Sequence, residues 1–176
     1  MSFIEIMNTY FRGEKLEAYW FILPAGVALV LLGAVAFKVE KGGFALGVAI
    51  PCLLFGLILI GTGLGVGTRT AGQIAEIHNA FLEDPVTIGR KELARMEKVN
   101  ANFRMTYFAF GVLVLAGLLV HYFGGGNWGR GLGAMLILAG GIGLLIDGFA
   151  ERRAEPYTAA LQALSDNQSK SQIQVD

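Results

Sequence analysis

The chain has 176 residues, of which 54% are hydrophobic and 16% charged, whereas an ordinary soluble domain carries about 25% charged residues. This much apolar surface exceeds what one water-soluble core of this size can bury, and the equal numbers of acidic and basic residues, 14 each, leave no net charge to attract nucleic acid. A single cysteine, Cys52, excludes an intrachain disulfide and a multi-cysteine metal site.

The first 18 residues form an amphipathic segment. Its apolar residues Phe3, Ile4, Met7, Tyr10 and Phe11 share one stripe of a helix. We assign residues 1–18 to an interfacial helix that lies along the inner leaflet. A helix docked over the rest of the molecule fits the same pattern equally well.

Four apolar runs follow, each close to the roughly 20 residues that a helix needs to cross about 30 Å of hydrocarbon. They are residues 19–37, 44–66, 105–123 and 132–150. The runs predict an all-α fold, a polytopic membrane four-helix bundle. Eleven of the 14 Lys and Arg residues lie before the first run, between the second and third, or after the fourth. Because Lys and Arg concentrate in cytoplasmic loops, we expect both termini on the cytoplasmic side of a cytoplasmic (inner) membrane.

Residues 68–104 form the long polar segment between the second and third runs. Its two apolar stripes flank Asp84-Pro85, a pair typical of a helix N-cap followed by proline in the first helical position. We expect the second run to continue as a helix to about Leu82, and a new helix to lead from Pro85 into the third run. The two extensions should pack as an antiparallel cytosolic hairpin. Residues 151–176 predict a cytosolic helix and a disordered tail.

The glycine-rich stretch GTGLGVGTRT, residues 61–70, lacks the lysine of a Walker loop and the glycine spacing of a dinucleotide-binding loop. It also ends a full-length run, unlike the re-entrant loop of an ion filter. On a helix, Gly61 and Gly65 share one side, and Gly63 and Gly67 lie nearly opposite. Such pairs let a neighbouring backbone approach closely within lipid, so we expect packing on both sides. Partner positions in the fourth run are Gly129, Gly133, Ala139 and Gly143.

Asp147 is the strongest candidate for chemistry, because acids inside a membrane are rare and often mark ion or proton paths. We expect a boundary ion pair with Arg69 or Arg104, which lie at the same depth on the second and third runs. In the alternative, Asp147 belongs to the path of a small oligomeric transporter or channel. Helices kinked by Pro24 and Pro51 would then help to form that path.

A mixed acidic and basic helix in residues 89–104 predicts a cytosolic docking surface, although a solvated helix face gives the same pattern. Its candidate residues are Glu92, Arg95, Glu97, Lys98 and Asn100.

Catalysis and metal binding are not predicted. The two histidines, His78 and His121, fall on opposite sides of the predicted membrane, and the apolar runs hold almost no polar groups. We therefore expect no cofactor, no metal and no enzyme activity. The expected function is helix–helix contact within the lipid bilayer with another membrane protein, for example as an immunity protein against a toxin or as an accessory subunit. A homo-oligomeric transporter or channel is the alternative.

Overall fold

The fold is helical throughout the part of the chain that the computed structural model describes, the backbone of residues 2–173 and the side chains of residues 2–166. Four of its helical stretches are long and apolar enough to cross a membrane: Phe3–Val39, Gly43–Glu83, Pro85–Phe123 and Gly126–Asp166. The predicted all-α class and the four candidate spans are thus confirmed. The elements are α1 (Phe3–Glu17), a π-helical turn (Ala18–Ile22), α2 (Leu23–Val39), α3 (Gly43–Glu83), α4 (Pro85–Phe123) and α5 (Gly126–Ile173).

The boundary between α3 and α4 is a single residue, as the sequence predicts. α3 ends at Glu83 and α4 begins at Pro85. Between them, Asp84 Oδ1 accepts hydrogen bonds from the backbone N–H of Val86 at 3.0 Å and of Thr87 at 3.1 Å. The cap satisfies amide groups that have no partner within the helix. α3 has 41 residues and is therefore about 60 Å long, roughly twice the hydrocarbon thickness.

The first of the long helical stretches, Phe3–Val39, consists of α1, the π-helical turn and α2, and we call it the first long helix. Its π-helical turn has a cause in the sequence. There the N–H of Leu23 donates to the carbonyl of Ala18, five residues earlier. Pro24 follows, and a proline ring crowds the carbonyl four residues before it and offers no N–H. A wider turn ahead of the proline relieves this clash while the helix continues.

The helices associate mainly as two pairs, α2 with α3 and α4 with α5, and the pairs are joined through α3 and α5. α3 and α4 contact each other only sparsely. The directly paired hairpin that we expected of residues 68–104 is therefore not confirmed. α1 and the last part of α5 meet both arms in a shared core instead.

The shared core lies at the end of the molecule that carries the N-terminus and the α3–α4 turn, and we call it the terminal core. Met7 and Phe11 of α1 are fully buried in it, and the ring of Tyr10 stacks on that of Tyr157 with centroids 4.9 Å apart. The apolar stripe of α1 thus faces other helices, which is the docked arrangement. The terminal core consists of Met7, Tyr10, Phe11, Ile77, Ile88, Met96, Ala154, Tyr157 and Leu161.

α5 differs from the prediction because it does not end with the fourth apolar run. We expected residues 132–150 to be followed by a separate helix and a disordered tail, but α5 continues with Pro156 inside it and is described to Ile173. Residues 174–176 of the expected tail lie outside the described residues.

Candidate functional site

The glycine-rich stretch of residues 61–67 is helical and packs on one side only. A Cβ built on Gly63 would lie 3.0 Å from the carbonyl oxygen of Ala18, and a Cβ on Gly67 would enter the ring of Tyr19. Around Gly61 and Gly65 nothing lies within 4 Å of such a Cβ. Of the two predicted packing sides, one is therefore covered by the π-helical turn and the other is open.

The predicted partners in the fourth run do not meet residues 61–67. Gly133 packs against Gly117 and His121 of α4, and Gly143 lies under the ring of Phe110. Ala139 is buried. Gly129 approaches the carbonyl of Gly124 in the preceding turn. Gly133 and Gly143 thus bring α4 and α5 together.

The closest contacts of α3 involve glycines that the sequence reasoning missed. A Cβ on Gly26 of α2 would lie 2.8 Å from the carbonyl oxygen of Gly56. Nearer the start of α3, Gly47 packs on the backbone at Trp128, and Gly131 packs on that at Phe44. Single glycines in the apolar runs were the signal for these contacts in the sequence. They occur too often in this chain to show which glycine faces which helix.

A pocket between the two helix pairs is apolar. It has a volume of about 120 Å³ and lies among α2, α3, α4 and α5. Side chains of this kind offer no hydrogen bond to a polar solute or an ion. Its lining residues are Leu29, Phe55, Ile58, Leu59, Phe110, Ala139, Ile142 and Gly143.

Asp147 does not form the expected ion pair. Its Oδ2 atom is buried and has no hydrogen-bond partner. Arg69 lies instead against Glu14 of α1, with an N–O distance of 3.5 Å, and Arg104 is exposed. One turn beyond Asp147, Glu151 Oε2 accepts a hydrogen bond from the hydroxyl of Tyr107 at 2.7 Å. The structure therefore does not bring Asp147, Arg69 and Arg104 together.

Two of the predicted docking residues, Glu92 and Arg95, contact the terminal core instead of lying free on the surface. Glu92 is only 6% exposed and accepts hydrogen bonds from Arg95 Nε at 2.9 Å and from the hydroxyl of Tyr157 at 3.1 Å. The guanidinium of Arg95 also lies 5.6 Å from the centre of the Phe11 ring. This ion pair joins α1, α4 and α5. Sequence spacing alone does not show that other helices cover it.

The other predicted docking residues lie on the surface. Lys98 is exposed. Glu97 and Asn100 line an open groove of about 410 Å³ between α4 and α5, and Asn100 Nδ2 donates to Thr158 Oγ1 at 3.1 Å across it. Three acids and one base contribute to this α4–α5 groove. Its lining residues are Glu97, Asn100, Ala101, Arg104, Glu151, Glu155, Thr158 and Gln162.

A second buried ion pair fixes α1 to α5. Arg153 Nη2 lies 2.6 Å from Glu17 Oε2, and the two side chains are 18% and 10% exposed. Gly13 makes room for it, since the Arg153 side chain passes over that position. Among the described side chains, no three His, Cys, Asp or Glu residues come together as a metal site would require.

Compared with protein-family models, with curated proteins and with solved structures, the chain matches none.

Proposed function

We propose that this chain is a non-enzymatic multi-pass protein of the cytoplasmic membrane that acts by contact with another membrane component. Neutralising a membrane-inserting protein or serving as an accessory subunit are examples of such a role. The observation that carries the proposal is the α4–α5 groove, whose charged lining residues are mainly acidic. Most of the apolar part of α4, one of the two helices that form the groove, is not buried within the molecule.

The groove suits a basic segment. Glu97, Glu155 and Glu151 outnumber Arg104 there. Segments that flank the spans of membrane proteins on the cytoplasmic side are rich in Lys and Arg. With its termini in the cytoplasm, this chain would present the groove at the depth where such segments lie. Opposite charges in this position steer association and set the register of the contact.

Within the apolar part of the molecule, two further surfaces support a contact role. The Gly61 and Gly65 side of α3 is open, and helices in lipid associate where small residues allow close approach. The exposed side of α4 carries large apolar groups, among them Phe108, Leu115 and Leu119. A partner helix could lie on either surface without displacing a helix of this chain.

Crosslinking within the native membrane tests the contact proposal. A photoreactive amino acid replaces Ala101, in the groove, in cells that express the full chain. We expect a crosslinked membrane protein whose yield falls about tenfold or more in Glu97→Gln/Glu155→Gln, because each lost close charge pair weakens binding. The control Glu76→Gln/Glu83→Gln alters two exposed acids of α3 outside the groove. Equal yields in both double variants would contradict a charge-directed contact.

A small transporter or channel is the second candidate function, because Asp147 keeps a buried oxygen without a partner. Unpaired acids in membrane helices often bind protons or ions. The test is ion or proton flux in liposomes that contain the purified chain. A flux that Asp147→Asn abolishes while helicity is retained would favour transport over contact. Absence of flux in the unaltered protein excludes this candidate.

A further inference from the structure

The outer face of the first long helix carries a groove in which basic and aromatic residues lie close together. It has a volume of about 360 Å³. Arg12 and Lys15 belong to α1, and Tyr19 and Trp20 belong to the π-helical turn. Leu16 lies between the two sets. We call it the junction groove, and it is lined by Arg12, Lys15, Leu16, Tyr19 and Trp20.

The junction groove has a polar end and an apolar end. Its two cations are on the side of the terminal core, and its aromatic residues are on the side of α2, which is an apolar span. A phospholipid has the same order, with a charged headgroup followed by acyl chains. Aromatic residues such as Trp20 also favour the level where headgroups meet hydrocarbon.

The acids nearest to the junction groove along α1 do not pair with its two cations. The nearest acids along α1 have other partners: Glu14 lies against Arg69, and Glu17 lies against Arg153. Among the described side chains, Arg12 and Lys15 form no ion pair. An anion that enters the groove therefore meets two cations that, among the described side chains, no carboxylate holds in an ion pair.

The apolar end of the groove is uncovered. Leu16 is 60% exposed and Trp20 is 79% exposed, whereas Tyr19 is half-buried against Gly67. An acyl chain lying along Leu16 and Trp20 would remove the surface of these two side chains from water at the membrane boundary. The two cations and the exposed apolar side chains of the groove thus both favour a molecule that has an anionic group and an acyl chain.

We propose that the junction groove binds an anionic phospholipid of the cytoplasmic leaflet, with the phosphate at Arg12 and Lys15 and one acyl chain along Leu16 and Trp20. The proposal does not depend on a protein partner. Each basic residue near an anionic membrane surface contributes about 5.4-fold in affinity, so two of them contribute about 30-fold. A zwitterionic lipid of the same chain length lacks this gain.

Fluorescence quenching tests the proposal, because the chain has only two tryptophans and Trp128 lies in the first turn of α5, beyond the α4–α5 loop. In a Trp128→Phe background, Trp20 is the reporter. The full chain is placed in phosphatidylcholine nanodiscs that contain increasing fractions of brominated phosphatidylglycerol or brominated phosphatidylcholine. We expect half-maximal quenching at about 30-fold less of the anionic lipid.

Two double variants complete the test. Arg12→Gln/Lys15→Gln changes two side chains without ion pairs and should make the two brominated lipids quench equally. The matched control, Arg90→Gln/Lys91→Gln, removes two exposed basic residues at the start of α4 and should keep the difference. Equal quenching by both lipids in the parent protein would overturn the proposal. The same loss in both double variants would overturn it too, since general surface charge would then explain the preference.

Discussion

Gly26 of α2 and Gly56 of α3 face each other so closely that a Cβ on either would lie 2.8 Å from the carbonyl oxygen of the other. Besides the side chains of Val30 and Ile60, backbone atoms limit this approach at both glycines, and a change of side-chain rotamer cannot move them. Helices in lipid gain little from hydrophobic association, so close backbone packing of this kind is what holds them together. The α2–α3 pair therefore depends on the absence of side chains at these two positions.

We predict that Gly26→Ala and Gly56→Ala each destabilise the protein by about 1–3 kcal/mol, the usual cost of overpacking. The loss outweighs the gain of up to about 1 kcal/mol that alanine brings to a helix. Thermal unfolding of the purified protein in one detergent measures the change. Gly61→Ala and Gly65→Ala serve as controls, because their surroundings are open, and should leave the unfolding temperature equal or higher. A decrease at Gly61 as large as that at Gly56 would contradict the structure.

The buried ion pair of the terminal core leads to a second prediction. Glu92→Ala removes the carboxylate that Arg95 and Tyr157 contact and should destabilise the protein by about 1–3 kcal/mol, because the buried hydroxyl of Tyr157 loses its acceptor while Arg95, 34% exposed, can still reach water. Tyr157→Phe removes one hydrogen bond to that charge and should cost about 1.5–3 kcal/mol. Chemical denaturation followed by far-UV circular dichroism measures both. Glu97→Ala, five residues further along α4 but exposed, should stay within about 0.5 kcal/mol of the parent.

The Asp84 cap should make stability depend on pH. Hydrogen bonds from Thr87, first from its side chain and then from its backbone N–H, lower the pKa of Asp84 below its ordinary value. A lowered folded-state pKa means that the stabilisation is complete above the unfolded pKa, about 4, and is lost as the pH falls through the folded value. The difference in unfolding temperature between the parent and Asp84→Ala should therefore shrink below pH 4. Asp84→Asn, which caps without ionising, should show no such pH dependence relative to Asp84→Ala.

Cysteine labelling checks the proposed orientation. Cys52 is buried, and Cys52→Ala provides a background without thiols. In that background, Lys41→Cys, in the α2–α3 loop, should react with a membrane-impermeant maleimide in intact cells from which any outer barrier has been removed. Thr87→Cys, in the first turn of α4, should react only after the membrane is opened. The reverse pattern would place the termini and the α4–α5 groove on the outer side.

From the sequence, the positions where helices begin and end could be predicted more fully than which helices pack against each other. Asp84-Pro85 marks the α3–α4 turn because a cap and a proline act on the local backbone. The glycine spacing correctly placed Gly63 and Gly67 on one side of α3 and Gly61 and Gly65 on another. It could not say which side is covered, because that depends on how α3 is rotated against the first long helix.

The same limit explains the charged residues. The sequence predicts that Asp147 and Arg69 lie at the same depth of a membrane, but ion pairs also require that two side chains face each other, and Arg69 faces Glu14 instead. Glu92 and Arg95, three residues apart, have a spacing that is common on solvated helices. Their burial is created by α1 and α5, which are distant in the sequence. Long-range packing, rather than local pattern, therefore decided the candidate site.

The unbroken course of α3 has a mechanical consequence. A rod roughly 60 Å long that tilts by about 5° at one end moves its other end by about 5 Å. A helix that moves as one body in this way would carry a displacement of the terminal core to its far end, past Pro51, which lies inside α3. The first long helix differs, since its π-helical turn interrupts the α-helical hydrogen bonding between α1 and α2 and would offer a joint there.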